Sequence, residues 1–198
     1  MMTYIFSALI IYIFIGLCLF VLQRRILYNT SGHPGSPKSY NLNNIKEINI
    51  TTGDGIDLLS WYYLGDKNLP ILVYFHGNSF HIGDRAHRIK KYIDNNWSVL
   101  LVSWRGFGGN SGKPSEKNLY EDGNAVLSWI SKNTSFENKQ IVIYGESLGS
   151  GVAVELGTKS RFLSIVLEAP FMSIPEVAQK RYKIFPTRYL VKDKFDNY

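Results

Sequence analysis

The stretch that decides the fold is IVIYGESLGSGVAVEL, residues 141–156. Its first residues are apolar and β-branched, which predicts a buried strand, and the small residues that follow predict a closely packed helix. Between them lies GESLG, a G-x-S-x-G sequence in the strand–turn–helix context that a nucleophile turn requires. Side chains at Gly145 or Gly149 would collide with the neighbouring strand and helix, so we expect Ser147 to project from a tight, strained turn.

Two backbone amides are candidates for stabilising an oxyanion beside this serine. The amide of Leu148 follows Ser147 at the helix start, where the helix dipole favours negative charge. The second donor is expected in ILVYFHGNS, residues 71–79, where a buried strand ends in a glycine-containing loop. Asn78 is the preferred donor there and Ser79 the less favoured one.

The histidines show no catalytic or metal-binding pattern. His76 is expected to bond to the loop backbone, and His81 and His87 are read as solvated positions. Four histidines and the single Cys18 form no ligand spacing, so neither a metal nor another cofactor is expected. One cysteine also excludes an internal disulfide.

Short apolar strands alternate with helical stretches beyond residue 70, and this alternation predicts a doubly wound α/β domain with a mostly parallel sheet. One helix is expected over 116–131, capped by Ser115. Upstream, an Asp-Gly turn predicts an antiparallel hairpin that enters the sheet. The predicted strands are 45–50, 56–63, 71–75, 98–103, 140–144 and 162–167.

The N-terminus is apolar, with no charged side chain before Arg24. Residues 4–22 are 19 residues long, enough to cross a ~30 Å hydrocarbon core as a helix, and they lack the basic start and cleavage site of a signal peptide. Arg24 and Arg25 follow directly, which places the remainder on the cytoplasmic side. We therefore predict a single-pass transmembrane anchor over 1–23.

The remaining boundaries follow from composition. Residues 24–44 are rich in Gly, Pro, Ser and Asn and are predicted to be a linker, and residues 45–198 are predicted to be a partial α/β domain. The glycine-rich loop 104–112 lacks the order of a phosphate-binding motif, so Arg105 is expected to brace loop carbonyls.

Overall composition excludes several classes of protein. The 198 residues are 45% hydrophobic and 19% charged, which excludes disordered, collagen-like and disulfide-rich chains. The net charge of +6 is scattered without a long basic run, so no nucleic-acid partner is expected.

Taken together, the motifs resemble the α/β-hydrolase superfamily and, within it, the membrane-anchored Bem46-like and ABHD13/ABHD17-like serine hydrolases. The resemblance is carried by the anchor, HGN followed by Asp84-Arg85, SWRGFGGNSGKPSEKNLYEDGNAVLSWI, YGESLGSGVAVEL and LEAPF. It implies hydrolysis of ester, thioester or similar acyl bonds without a cofactor. It places the nucleophile at Ser147 and the oxyanion amides at Leu148 and Asn78.

The sequence departs from this family in its acid and base. The superfamily order is Ser, then Asp or Glu, then His, yet no histidine follows His87. Glu168 is expected to brace a loop, and Asp193 and Asp196 to be solvated. The late strands and helices of the fold are expected to be missing, so the chain is predicted to be a truncated, inactive hydrolase.

Two other interpretations stay open. The chain is a noncatalytic membrane-bound binding or scaffold protein that retains the pocket, or a separate polypeptide supplies the missing Asp and His. The expected substrate in every catalytic case is an acyl ester or thioester, either a small molecule or a lipidated one, and the expected surface partner is the membrane.

Overall fold

The computed structural model describes residues 1–197, and the strands and helices in that range follow the predicted alternation. The strands are β1 Lys46–Thr51, β2 Asp57–Tyr63, β3 Ile71–Phe75, β4 Ser98–Val102, β5 Ile141–Glu146 and β6 Ser164–Glu168. The helices are α1 Met2–Leu27, α2 Ala86–Asp94, α3 Glu116–Asn133, α4 Leu148–Lys159, α5 Ile174–Arg181 and α6 Thr187–Leu190.

The six described strands form one mixed sheet in the order β1-β2-β4-β3-β5-β6. Neighbours within β4-β3-β5-β6 are parallel, whereas β2 pairs antiparallel with both β1 and β4. The antiparallel entry and the parallel remainder agree with the predicted α/β-hydrolase architecture. β6 lies at one edge of this sheet.

Helices cover both faces of the sheet, and the central strands are therefore buried on both sides. Val73 and Phe75 belong to the core cluster that contains the buried residues of α3 and α4. Leu72 and Tyr74, one position removed along β3, belong to the cluster that contains α2. The alternation of side chains along a strand thus divides the core into two layers, as expected of a doubly wound domain.

The predicted helix caps and turns form as expected. The Ser115 side chain accepts a hydrogen bond from the Asn118 amide, 3.3 Å away, at the start of α3. Gly55 has a φ of 82° in the turn between β1 and β2, a conformation that glycine adopts without strain.

The C-terminal part contains Pro175 and Pro186, each of which predicts an interruption of a helix. Pro175 lies instead in the first turn of α5, where its missing N–H has no cost. Pro186 does separate α5 from α6. No strand follows β6 in the described residues, and Phe195 is fully buried in the core that contains α3 and α4.

α1 is 26 residues long and contains an 18-residue stretch with a mean hydropathy of 2.9, so it is long and apolar enough to cross a membrane. In the segment that follows, Tyr28, Pro37 and Leu42 are buried. The predicted linker therefore packs partly against the rest of the protein, and the bounds of the anchor, linker and domain stay a prediction. Apolar residues scattered among Gly, Pro and Ser leave no periodic pattern by which such packing could be predicted.

Candidate active site

Ser147 occupies the strained turn between β5 and α4. Its φ of 47° and ψ of −110° lie in a region that side chains rarely adopt, and its amide donates a 2.8 Å hydrogen bond to the Glu168 carbonyl at the end of β6. Its side chain is half-buried and no hydrogen bond to its Oγ is found within residues 1–197. The serine thus projects from the carboxyl end of the sheet with a free hydroxyl.

The glycines on either side allow this turn to form. A Cβ on Gly145 would lie 2.6 Å from the Gly149 carbonyl oxygen and 2.8 Å from the Ala153 Cβ. A Cβ on Gly149 would lie 2.7 Å from the Phe75 carbonyl carbon and 2.9 Å from the His76 oxygen. β3, β5 and α4 therefore approach one another at distances that only glycine permits.

The predicted oxyanion residues lie on two segments that meet beside Ser147. Leu148 is the first residue of α4, and N–H groups in the first turn have no partner within a helix. The loop after β3 lies against the turn, because a Cβ on Gly77 would be 3.5 Å from the Ser147 Cβ. Asn78 follows in that loop with no hydrogen bond from its N–H to any residue in 1–197.

An ion pair that the sequence did not reveal fixes the Asn78 loop to the nucleophile turn. Arg85 donates to both carboxylate oxygens of Glu146 at 3.0 and 2.8 Å, and to the Ser79 carbonyl at 3.0 Å. Tyr74 donates its hydroxyl to the same carboxylate at 2.8 Å. Burial opposes ionisation of Glu146, but the hydrogen bonds and charge of Arg85, aided by Tyr74, hold its pKa below the ordinary value.

A second carboxylate network lies next to the first. Glu168 pairs with Arg88 on α2 and accepts a 2.9 Å hydrogen bond from the Tyr144 hydroxyl. The Arg88 hydrogen bond lowers the pKa of Glu168, against a smaller opposing effect of burial. Glu168 therefore braces the segments around the site, which is the role expected for it.

His76 is a structural histidine. Its side chain is fully buried, and Nδ1 donates to the Gly77 carbonyl at 2.7 Å. Its ring packs edge-on against Phe107, with ring centres 5.3 Å apart. Burial, aided by the charge of Arg85, lowers the pKa of His76 to about 3, so the ring is neutral at physiological pH.

Three expectations about other polar side chains are wrong. Arg105 does not brace carbonyls but pairs with the carboxylates of Asp54 and Asp122, at 2.7 Å each. Asp193 is buried rather than solvated and binds Arg24 through two hydrogen bonds of 2.8 and 2.9 Å. His81 is mostly buried, with 17% of its side chain exposed. These partners lie far apart in the sequence, which gives no local signal of their pairing.

His87 and Asp196 were also predicted to be solvated, and both are exposed. All four histidines precede the serine in the chain, and none bonds to it within residues 1–197. The described part of the chain also brings together no group of three or more side chains able to hold a metal ion.

A cavity of about 260 Å³ lies beside the Asn78 loop. It is bounded by the second half of α1 on one side and by α5 and α6 on the other. Its lining residues are mostly apolar and include Leu19, Phe20, Leu27, Val177 and Phe185. Asn78 is the lining residue contributed by the β3 loop.

The family comparison agrees with this geometry. Residues 66–195, more than half of the chain, match the protein family described as serine aminopeptidase, S33. The chain belongs to the α/β-hydrolase superfamily. The fold of a crystallised α/β hydrolase from Vibrio vulnificus superposes with a TM-score of 0.67 at 19% identity, covering 79% of this chain and 59% of that one.

One of the sequence relatives is described as a membrane protein. The chain is 34% identical over 178 residues to an uncharacterised Mycobacterium tuberculosis protein, covering 87% of this chain and 62% of the relative. It is 30% identical to the bem46 protein of Schizosaccharomyces pombe, over 80% of this chain and 57% of the relative. An uncharacterised membrane protein of Saccharomyces cerevisiae is 29% identical, over 78% and 57% of the two chains. The chain thus spans about three fifths of these relatives, and the membrane relative together with α1 indicates membrane association.

Proposed function

We propose that Ser147 is the nucleophile for hydrolysis of acyl esters or thioesters at a membrane. The observation that carries this proposal is the strained Ser147 turn, which presents a free hydroxyl at the start of α4. A relaxed backbone would suffice for packing alone, so strain held in place by two close glycine contacts points to chemistry at the serine.

The proposed reaction is acyl transfer in two steps. The Ser147 oxygen forms a bond to the acyl carbon, and the alcohol or thiol leaves with a proton. Water then releases the acid and restores the serine hydroxyl. The Leu148 and Asn78 amides hold the negative oxygen of each intermediate, and neither step requires a cofactor.

The serine proton needs a base, and the described residues offer none. His76 is neutral but points its Nδ1 proton at Gly77 and bonds to no serine. We infer that these 198 residues alone keep only the acceleration given by the oxyanion amides and the binding site, which is roughly 10³–10⁴-fold over water in a triad enzyme lacking one member.

The cavity beside Asn78 supports an acyl substrate. Its walls are mainly aliphatic and aromatic, and about 260 Å³ is close to the lower size of small-molecule sites. An apolar acyl chain placed there would have its carbonyl near the Asn78 loop, because Asn78 lines the cavity.

The test is active-site labelling with a fluorophosphonate, with the full chain in bilayer nanodiscs and the modified residue located by mass spectrometry. Without added base, we expect much less than stoichiometric modification. Free imidazole should restore modification of Ser147, since it can accept the proton that no described residue accepts.

The matched controls are Ser147→Ala, which must abolish the imidazole-dependent signal, and Ser128→Ala, at an exposed position on α3, which must not. Stoichiometric labelling without imidazole would contradict the proposed inactivity. Labelling that does not depend on Ser147 at any imidazole concentration would contradict the assignment of the nucleophile.

The alternative function is noncatalytic binding of acyl chains, and it is favoured by one observation: the cavity is formed by α1, α5 and α6 without any help from Ser147. A fluorescent fatty acid should then bind equally to the wild type and to Ser147→Ala. Binding that is retained while imidazole fails to restore Ser147 labelling would favour this alternative over the hydrolase.

A further inference from the structure

The hairpin formed by α5 and α6 lies along α1. The Tyr12 hydroxyl donates to the Ile184 carbonyl at 2.8 Å, and the Tyr12 ring stacks on Phe185 with centres 4.8 Å apart. At the other end of the contact, Arg24 holds Asp193. The hairpin therefore runs beside the apolar helix from Arg24 back to Tyr12.

These contacts place the tip of the hairpin at a definite depth. Tyr12 and Arg24 are twelve residues apart, or about 18 Å along a helix. The headgroup layer is only roughly 6 Å thick on each side of a bilayer. With Arg24 and Arg25 at the headgroups, Ile184, which contacts Tyr12, lies below that layer.

The hairpin surface has the composition of a membrane contact. Its most exposed apolar side chains are Tyr189 at 84% and Ile184 at 73%, joined by Val177 and Leu190. Between residues 172 and 192 the sequence has five basic residues and one acidic residue, Glu176. The basic side chains are all exposed, and they are Lys180, Arg181, Lys183, Arg188 and Lys192.

We propose that the α5–α6 hairpin is a second membrane-binding element, inserted beside α1 with Ile184 in the hydrocarbon and its basic side chains at anionic headgroups. Long basic side chains keep their charge at the interface while their stems pass through apolar surroundings. The Lys192 ammonium already lies 4.5 Å from the centre of the Phe20 ring, which shows a basic side chain lying along α1 in this way. This element is independent of whether Ser147 reacts.

The test measures depth with a fluorescent label in vesicles that contain anionic lipid. The full chain carries Cys18→Ala and Ile184→Cys, labelled with an environment-sensitive dye, and quenching is compared between lipids brominated on their acyl chains and aqueous iodide. We expect bromolipid to reduce the emission roughly twofold or more, and iodide to have little effect. Lys67→Cys in the same background is the control, because Lys67 is exposed and precedes β3, at the end of the strand opposite the Asn78 loop.

The charge component has its own measurement. Lys180→Gln combined with Lys183→Gln should reduce bromolipid quenching at position 184 in anionic vesicles and leave it unchanged in neutral ones. Quenching of position 184 by iodide to the extent seen at position 67 would overturn the proposal. Protection from both quenchers would also overturn it, since it would mean that a second protein copy covers the hairpin.

Discussion

At the scale of single residues, the conformation of Ser147 can be separated from its chemistry. Glycine adopts a positive φ without strain and alanine does not, so Ser147→Gly should be more stable than Ser147→Ala by about 1 kcal/mol. Urea unfolding in detergent, followed by tryptophan fluorescence, measures this difference. Equal stability of the two variants would show that the turn at φ 47° stores no strain.

His76 predicts a pH dependence of stability. Its pKa is about 3 in the fold and 6.5 ordinarily, so the unfolded chain binds the extra proton as the pH falls below 6.5. Stability is therefore complete above pH 6.5 and falls by roughly 1.4 kcal/mol per unit towards pH 3.

The variant that tests this is His76→Gln, which retains a donor for the Gly77 carbonyl. Its stability should lose roughly 2 kcal/mol less than that of the wild type between pH 6.5 and 5. His87→Gln, at an exposed position, is the matched control and should change stability at pH 7 by less than about 0.5 kcal/mol. Parallel pH profiles for wild type and His76→Gln would contradict the burial of a neutral ring.

Residues whose role is set by local geometry could be predicted from the sequence. The positions of Ser147 and its flanking glycines follow from one strand–turn–helix motif, and the backbone bond of His76 joins neighbours in the chain. The pairing of Arg85 with Glu146 spans 61 residues, and its partners are separated by three elements. No pattern within either segment indicates which carboxylate a buried arginine will meet.

At the scale of elements, Gly149→Ala tests the contact between β3 and α4. The added Cβ would meet the backbone of Phe75, which cannot move without disturbing the sheet, so we expect a loss of about 3 kcal/mol or more. Gly53→Ala is the control, because a Cβ there meets nothing within 4 Å, and it should change stability by less than about 0.5 kcal/mol. Similar effects of the two substitutions would refute the close approach.

The Arg85–Glu146 pair connects the α2 region to β5, and its contribution to the stability of the fold can be measured. Arg85→Met leaves the Glu146 carboxylate, only 15% exposed, without its partner, which should cost about 3 kcal/mol or more. Replacing both by Met should cost less than the single change. Because the pKa of Glu146 is lowered in the fold, this contribution is present above pH 4.5 and is lost as the pH falls through the folded pKa.

The exposed Lys90–Asp94 pair on α2 is the control for that measurement. Both side chains are about half exposed, so Lys90→Met should cost less than about 0.5 kcal/mol. If Arg85→Met costs as little, the pair does not fix the Asn78 loop to the nucleophile turn.

Most elements could be predicted because their patterns are local. β3 occupies the five residues expected, and α3 begins at the residue after its predicted cap. Strand ends in β4 to β6 shift by one or two residues, where hydrogen bonds to neighbouring strands decide the boundary. The start of α5 at Ile174 depends on the Ser173 cap, a signal that Pro175 and Pro186 obscure.

At the scale of the whole molecule, β6 is an edge strand with an apolar surface. Leu163 is 53% exposed, and Ile165, Val166 and Leu167 are each 38% exposed. Edges of this kind pair with other chains unless they are charged or covered. We expect the 198-residue chain to self-associate in mild detergent.

Val166→Lys should shift the self-associated chain towards the monomer, as measured by light scattering. The domain should stay folded, as measured by circular dichroism. Asn124→Lys, on the exposed side of α3, carries the same added charge and should leave association unchanged. An oligomer distribution unaffected by Val166→Lys would show that copies do not meet at this edge.

The packing of α1 on the domain is the part of the whole that the sequence could not predict. Residues 2–22 of this helix are apolar on every side, so no face is distinguished as the one that contacts protein. The structure selects the side with Gly16, where the Phe185 ring would lie 3.5 Å from an added Cβ. Only the tertiary position of α5 and α6 determines that choice.

The end of α1 is hydrogen-bonded to the loop that carries a candidate oxyanion amide. The Asn78 side chain donates to the Leu27 carbonyl at 2.9 Å, and Asn29 pairs with the same loop through its amide and carbonyl. A bilayer thicker or thinner than the apolar length of α1 changes the tilt of that helix, and these bonds would pass the change to Asn78. Lipid chain length is therefore an experimental variable for this site, and a fragment cut after α1 would have a differently held pocket.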